Sequence, residues 1–215
     1  NLSHERRHAG RGGLGAVLGS KNIKAIAVKG STRMAVAFPA KLVEKARELS
    51  AKSFGPATAK YRELGTVSNL LVFNRLSVLP TRNFQEGHFA AIDKQDFQEV
   101  DKAAKITRHS CAACTIGCEH IYESKLGKVR IEYESMFALG SLCGIENAED
   151  IAEIVGLCDE FGLDTISTGG TIAFAMECVE KGMLAEPWLQ FGSMAAAKKA
   201  IGLIANREGL GKILS

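Results

Sequence analysis

The sequence predicts a mainly α-helical protein, in which a helical domain follows the closing edge of an upstream β-containing domain. Two observations carry this prediction. Apolar residues recur at helical spacing after residue 38, and a Gly-rich, basic block at residues 1–30 ends in a strand-like run at residues 23–28. We therefore expect residues 1–35 to close the first domain and residues 36–215 to form the helical domain.

The first predicted helix begins near residue 38. Its apolar residues at helical spacing are Leu42, Val43, Ala46 and Leu49. A second helical stretch covers about residues 57–75, and an irregular segment follows at residues 79–84. Residues 93–108 are rich in charge and are predicted to be helical, and the cysteines that follow them are expected in a loop.

The clearest helix is predicted at about residues 147–161. Its apolar face consists of Ile151, Ile154, Val155, Cys158 and Phe161. Asn147 is the expected N-cap and Gly162 the expected residue after the helix. Two further helices are predicted at about residues 165–181, ending before Gly182, and at about residues 193–205.

Composition excludes several classes of protein. Of the 215 residues, 46% are hydrophobic and 24% are charged, which is typical of soluble globular proteins. The net charge of +3 gives no indication of a nucleic-acid or membrane partner, and no apolar run approaches the roughly 20 residues that span a bilayer. We therefore expect a cytoplasmic protein. The chain does not begin with Met, so we read it as part of a longer protein.

Three of the six cysteines are closely spaced, as Cys111-x2-Cys114-x3-Cys118. Thiolates at this spacing can bind three corners of a cubane iron–sulfur cluster. A zinc site completed by His120 and a group of buried structural thiols are the alternatives. A fourth cluster ligand is needed, and Cys143, which lies 25 residues after Cys118, is a candidate by its spacing.

Two further patterns indicate cofactor binding. Arg7, Arg11 and several glycines crowd residues 6–15, and glycine loops with arginines bind phosphate groups. A tight turn with solvated arginines is the alternative. Glu134 follows the cysteines and is a candidate acid or base, or else a surface residue. Asp164 is explained by N-capping a helix, and Asp159 by solvation.

Together these motifs resemble the tungsten-containing aldehyde:ferredoxin oxidoreductases. The resemblance rests on five separated segments in the same order. They are Ala9-Gly10-Arg11-Gly12-Gly13-Leu14-Gly15 with the seven residues after it, Leu79-Pro80-Thr81-Arg82-Asn83-Phe84, the cysteine motif, Tyr133-Glu134 with Gly140-Ser141-Leu142-Cys143-Gly144, and Asp159-x-x-Gly162-Leu163-Asp164.

The resemblance implies an enzyme that oxidises a small aldehyde and water to a carboxylic acid. Electrons would pass from a tungsten or molybdenum bis-pterin through a [4Fe–4S] cluster to ferredoxin. The cluster would be bound by Cys111, Cys114 and Cys118, and Glu134 would lie near the metal. The pterin would contact Arg7, His8, Gly10, Arg11, Asp159, Leu163 and Asp164.

By the same resemblance, the fourth cluster cysteine lies beyond Ser215, so Cys143 is not assigned as a ligand. The N-terminal block would close a β-rich, pterin-binding domain. A homo-oligomer is compatible with the sequence. Two alternative functions remain, a non-catalytic iron–sulfur electron-transfer module and a helical interaction domain stabilised by Cys3His zinc.

Overall fold

The computed structural model describes residues 1–4, 7–95, 107–124 and 127–215. Within these ranges α-helices predominate over two small antiparallel sheets, which confirms the predicted mainly α class. Among the same residues, no helix has the length and apolar character needed to cross a membrane.

The N-terminal half holds a hairpin and four helices. Strand β1 (Leu2–His4) pairs antiparallel with β2 (Arg7–Ala9), which places Ser3 opposite His8. The helices that follow are α1 (Leu14–Ser20), α2 (Pro39–Ser53), α3 (Pro56–Leu64) and α4 (Asn69–Arg75). The stretch predicted at 57–75 is thus two helices, because Gly65 adopts a φ of 65° and ends α3.

The strand predicted at residues 23–28 is wrong, because this segment is irregular. A strand needs a neighbour to bind its backbone N–H and C=O groups, and no described segment pairs with this one. Its apolar side chains are accordingly exposed, with Val28 at 90% and Ile26 at 68%.

A three-stranded antiparallel sheet was not predicted. It consists of β3 (Thr107–His109), β4 (Glu119–Ser124) and β5 (Gly127–Ile131), with β4 in the centre. The helix predicted at 93–108 is therefore wrong at its end, where residues 107 and 108 belong to β3. Its start lies in a short 3-10 turn (Ile92–Gln95), and residues 96–106 lie outside the described residues.

The C-terminal half is helical, as predicted. Its helices are α5 (Tyr133–Leu139), α6 (Ala148–Phe161), α7 (Thr165–Glu180), α8 (Met194–Asn206) and α9 (Gly211–Leu214). The side chain of Asn147 accepts hydrogen bonds from the backbone N–H of Glu149 and Asp150 at 2.9 and 3.1 Å, which confirms it as the N-cap of α6. Gly162 ends this helix with a φ of 65°.

The core lies among α5, α6, α7 and α8, with β5 packed against α6. Helices α5 and α7 approach closely at Gly169, where an added Cβ would lie 2.3 Å from the carbonyl oxygen of Ala138. Fully buried side chains fill the space between the elements: Met136, Leu139, Ile151, Ile154, Ile172, Met176 and Ile201. This packing fixes the junction between α6 and α7, at residues 159–164.

The segment at residues 79–84 is irregular, as predicted, and adopts an unusual turn. Arg82, Asn83 and Phe84 have φ values of 44°, 52° and 64°. Left-handed backbone costs roughly 1–2 kcal/mol per residue with a side chain. Two backbone hydrogen bonds compensate, from Arg82 N–H to the Ser141 carbonyl at 3.0 Å and from Asn83 N–H to the Leu142 carbonyl at 2.9 Å.

Candidate functional site

The three predicted cluster cysteines share one loop between β3 and β4. The backbone N–H of Cys114 donates to the carbonyl of Cys111 at 3.0 Å, which makes a tight turn around Ala113. Cys111 and Cys114 are exposed, and Cys118 is half-buried. The pKa of the Cys118 thiol is raised by burial, then by the Glu132 carboxylate, and also by Cys111 and Cys114.

The loop suits an iron–sulfur cluster by the chemistry of its donors. In the described residues, no three His, Cys, Asp or Glu side chains converge on a point where they could hold a single metal ion. A cubane cluster does not need such convergence, because each thiolate binds a different iron corner. A loop with three neighbouring thiols, two of them open to solvent, fits that requirement.

The other candidate ligands lie elsewhere. His120 is 2% exposed in β4, and its ring packs 3.1 Å from the Cβ position of Gly65, so the Cys3His zinc site is not supported. Cys143 is fully buried and its thiol faces the carbonyls of Ala138 and Gly169 at 3.4 and 3.5 Å. Cys158 is also buried in the core, as its place on the apolar face of α6 predicts.

Glu134 opens into a polar cavity of about 240 Å³. We call it the carboxylate cavity, and its lining consists of His8, Glu119, Arg130, Glu132, Glu134, Ser135, Val155, Asp159 and Thr165. Glu134 lies in the first turn of α5 and is exposed to this space. The positive end of the helix dipole favours a carboxylate at that position.

Glu132 begins α5 through a capping box with Ser135. Its side chain accepts from the backbone N–H of Ser135, while the Ser135 hydroxyl accepts from the backbone N–H of Glu132 at 3.3 Å. This cap holds the first turn of α5 in place and so fixes where Glu134 projects. Glu132 also lines the carboxylate cavity, and its negative charge acts on the Cys118 thiol of the cysteine loop.

Sequence reasoning missed Glu119 and Arg130 in this cavity. Glu119 in β4 is 4% exposed and forms an ion pair with Arg130 of β5, with His109 Nδ1 at 3.6 Å on its outer side. The two residues meet only because β4 and β5 pair. The signal that could have found them is the alternation of apolar residues on both sides of Gly127.

Asp159 reaches the carboxylate cavity from the last turn of α6 and contacts the N-terminal hairpin. His8 Nε2 lies 3.1 Å from Asp159 Oδ1, and the other ring nitrogen, Nδ1, lies 2.7 Å from the Ser3 hydroxyl. These contacts join β1 and β2 to α6 across 151 residues of sequence. Two residues predicted to contact one cofactor, His8 and Asp159, are thus brought together.

Gly10 and Arg11 line a second, larger space of about 630 Å³. We call it the glycine cavity. Residues 10–13 form one side, the α6–α7 junction with Leu163 and Asp164 forms another, and Arg207 after α8 forms a third. The Asp164 side chain accepts from the backbone N–H of Ser167 at 2.7 Å, so it caps α7 as predicted and borders this cavity as well.

The six-residue junction between α6 and α7 therefore serves both cavities. Its first residue, Asp159, faces the carboxylate cavity, and its last residues, Leu163 and Asp164, face the glycine cavity. Arg7 lies in β2. The other predicted cofactor and catalytic residues divide between the two cavities, and the three cysteines stand apart in their loop beside Glu132.

Two family models match most of the chain. Residues 41–215 match the model described as "Aldehyde ferredoxin oxidoreductase, domains 2 & 3". Residues 1–30 match "Aldehyde ferredoxin oxidoreductase, N-terminal domain". The predicted domain boundary near residue 35 falls between the two matched ranges, and the division itself stays a prediction.

Curated relatives are similar over the whole chain. The chain is 39% identical to "Tungsten-containing aldehyde ferredoxin oxidoreductase" of Pyrococcus abyssi over 100% of its length, and 40% identical to the protein of the same name in Thermococcus kodakarensis, again over 100%. It is 33% identical over 96% of its length to "Aliphatic sulfonate oxidoreductase, WOR-like subunit" of Pyrococcus furiosus. The chain spans 37% of the length of the first two relatives and 35% of the third.

Proposed function

Because the chain belongs to the aldehyde ferredoxin oxidoreductase family, we propose that its protein oxidises an aldehyde and water to a carboxylic acid. The reaction releases two electrons and two protons for each aldehyde converted. The electrons would pass through a [4Fe–4S] cluster to ferredoxin, and the protein would act in the cytoplasm. A tungsten or molybdenum bis-pterin would supply the two-electron redox chemistry.

One observation carries this proposal. The α6–α7 junction and the N-terminal glycine segment, more than 140 residues apart in sequence, meet around the glycine cavity, and the same junction reaches the carboxylate cavity. The residues at this meeting are the ones that the family resemblance assigns to the pterin. A non-catalytic electron-transfer module would need only the cysteine loop, and would leave both cavities without a role.

Within the glycine cavity, Gly10 leaves room for close approach of a ligand. A Cβ at Gly10 would lie 3.7 Å from Asp164 Oδ2 and 3.6 Å from Asn1 Oδ1, at ordinary contact distance, so the segment lies beside the junction. Gly12 and Gly13 have φ values of 102° and 72°, which a residue with a side chain rarely adopts. Arg11 would bind a phosphate group of the cofactor, and Leu163 and Asp164 would line the opposite side.

In the carboxylate cavity, Asp159 would bind N–H groups of the pterin while His8 holds one of its oxygens. Cys111, Cys114 and Cys118 would hold the cluster. Glu132 lines the cavity, and its charge acts on the Cys118 thiol, so this residue would relate the cluster to the site of oxidation. Two of the three cysteines are exposed, which suits a cluster that ferredoxin can approach.

Glu134 would act on protons. When water adds to the aldehyde carbon, the attacking oxygen loses a proton, and a carboxylate within hydrogen-bond reach can accept it. Glu134 is exposed in the carboxylate cavity and lies in the first turn of α5. The remaining carboxylates there already have other partners, since Glu132 caps α5, Glu119 pairs with Arg130 and Asp159 contacts His8.

The test is Glu134→Gln in the full-length protein. We expect cluster iron and pterin content to match the wild type, and turnover of aldehyde to fall by at least about 10²-fold, since a positioned acid–base group contributes 10²–10⁴. The effect on KM should be smaller. Glu149→Gln is a matched control, because Glu149 lies in the equivalent first turn of α6 but outside the cavity lining.

Near-normal turnover of Glu134→Gln would show that Glu134 is a surface residue, which is the alternative interpretation of its position in the sequence. Loss of pterin together with activity would instead make it a structural residue. Absence of tungsten, molybdenum and pterin from the wild-type protein would contradict the proposed function as a whole.

A further inference from the structure

Arg207 lines the glycine cavity from the side opposite the glycine segment. It follows directly after α8, where its backbone N–H bonds the carbonyls of Ile204 and Leu203 and ends the helix. Arg11 enters the same cavity from residues 10–13. Two arginines from segments almost 200 residues apart therefore line one space.

The backbone at Arg207 is left-handed, with a φ of 55° and a ψ of 45°. Helices commonly end with a residue in this conformation, and it is usually glycine, because a Cβ costs roughly 1–2 kcal/mol there. Gly144, Gly162 and Gly182 fill such positions elsewhere in the chain. Where glycine would avoid this strain, a residue with a side chain indicates that the side chain itself is required.

The charges around the glycine cavity are unbalanced. Its charged side chains are Arg11, Arg207 and Asp164. Across the described ranges, no carboxylate forms an ion pair with Arg11 or with Arg207. Asp164 already accepts a hydrogen bond from Ser167 N–H as the cap of α7. The cavity thus keeps two unpaired cations, and an anion bound between them would gain from both.

The N-terminus of α7 adds to this preference. Asp164 caps the helix, and the side chains of Ser167, Thr168 and Thr171 from its first turns line the same cavity. Hydroxyl groups and the positive end of a 16-residue helix favour phosphate oxygens. The cavity volume of about 630 Å³ is large enough for a diphosphate with an attached ring.

We propose that Arg207 is a phosphate-binding residue of the glycine cavity, which acts with Arg11 on the phosphate end of the pterin cofactor. This inference rests on the proposed function, because that function supplies the phosphate-bearing ligand. Arginine suits the role since its planar guanidinium can donate two parallel hydrogen bonds to phosphate oxygens. Lysine at the same position would keep the charge and lose this geometry.

The test uses Arg207→Gly in the full-length protein. Glycine removes the guanidinium and also the backbone strain, so the variant should unfold at the wild-type temperature or slightly above it. In the cofactor-free protein, we expect its affinity for inorganic pyrophosphate, measured by calorimetry, to fall at least about 10-fold, as for loss of a charge-assisted hydrogen bond. The pterin content of the cofactor-loaded variant, measured by releasing the pterin from the protein, should fall in parallel.

Four further variants make the result decisive. Arg207→Gln keeps the strain, lacks the charge, and should lose affinity as Arg207→Gly does, whereas Arg207→Lys should lose less. Ser77→Gly replaces another left-handed residue, with a φ of 56°, outside the cavity and should bind pyrophosphate normally. Lys212→Ala removes a charge of α9 that does not line the cavity, and should also bind normally.

Wild-type pyrophosphate affinity in both Arg207→Gly and Arg207→Gln would overturn the inference. Equal losses in Lys212→Ala would also overturn it, because the effect would then come from net charge alone. Failure of the proposed function looks different, since the wild-type protein would then contain no pterin at all. The pyrophosphate measurement on cofactor-free protein separates these two results.

Discussion

Asp159 occupies an electrostatically unfavourable position. It lies in the last turn of α6, where the helix dipole is negative and a carboxylate is destabilised by roughly 0.3–1 kcal/mol. His8 compensates by placing Nε2 at 3.1 Å from Oδ1, and Ser3 holds the other ring nitrogen at 2.7 Å. Asp159 is therefore held by a protein partner rather than simply solvated, and its contact with the pterin stays a proposal.

The cysteine loop gives a prediction at the scale of single residues. Cys114→Ser in the full-length protein should abolish cluster iron, because the serine hydroxyl does not replace a thiolate ligand of a cubane. Iron analysis and visible absorption of protein purified without oxygen measure this. Cys178→Ser is the control, since Cys178 lies on α7 away from the loop and should leave iron unchanged. Unchanged iron in Cys114→Ser, or zinc in place of iron, would contradict the cluster assignment.

At the scale of elements, the helices with local end signals were predictable. Asn147 and Gly162 bracket α6, and Asp164 begins α7, so each boundary is encoded within a few residues. The β3–β4–β5 sheet was missed because its strands are short and are stabilised by pairing with one another. Residues 23–28 show the opposite case. They have strand-like composition but no partner strand among the described residues, and the segment is irregular.

The residues of the candidate site likewise fall into those that could be named from sequence and those that could not. Glu134, Asp159 and Arg11 belong to short motifs and could be named from sequence alone. Arg130 and Arg207 belong to no such motif, and they join the site only through the folding of distant segments. Residue types therefore gave the candidates, while Arg207 and the buried ion pair between Glu119 and Arg130 required the tertiary structure.

The close contact between α5 and α7 gives a prediction at the scale of elements. Gly169→Ala would place a Cβ 2.3 Å from the Ala138 carbonyl oxygen, and should destabilise the protein by roughly 1–3 kcal/mol as the helices separate. Gly170→Ala is the matched control on the same helix, because no atom lies within 4 Å of its Cβ position. It should be neutral or stabilising by up to about 1 kcal/mol. Equal unfolding midpoints for the two variants would contradict this packing.

At the scale of the whole molecule, α6 connects the core to both cavities. Its apolar face packs on α8 and β5, and its last turn carries Asp159 to the carboxylate cavity. Cys158 belongs to that apolar face, and Cys143 lies between α5 and α7. Burial raises the pKa of both thiols from 9.0 to about 12. The folded protein therefore keeps them protonated where the unfolded chain ionises them.

This difference predicts a loss of stability in alkaline solution. A group whose pKa is higher in the folded state stabilises the protein below its unfolded pKa, and the stabilisation falls as pH rises toward the folded value. Between pH 8 and pH 10, each thiol should therefore cost about 1.4 kcal/mol of unfolding free energy, or about 3 kcal/mol for Cys143 and Cys158 together.

The measurement compares wild type with the double variant Cys143→Ala, Cys158→Ala by denaturant unfolding at both pH values. The variant starts from lower stability because of its two small cavities, but its decline across this range should be smaller by about that amount. Lysines and tyrosines titrate in both proteins alike and cancel in the comparison. Equal declines would mean that the two thiols ionise as readily in the folded protein as in the unfolded chain, which the burial of both side chains in the core contradicts.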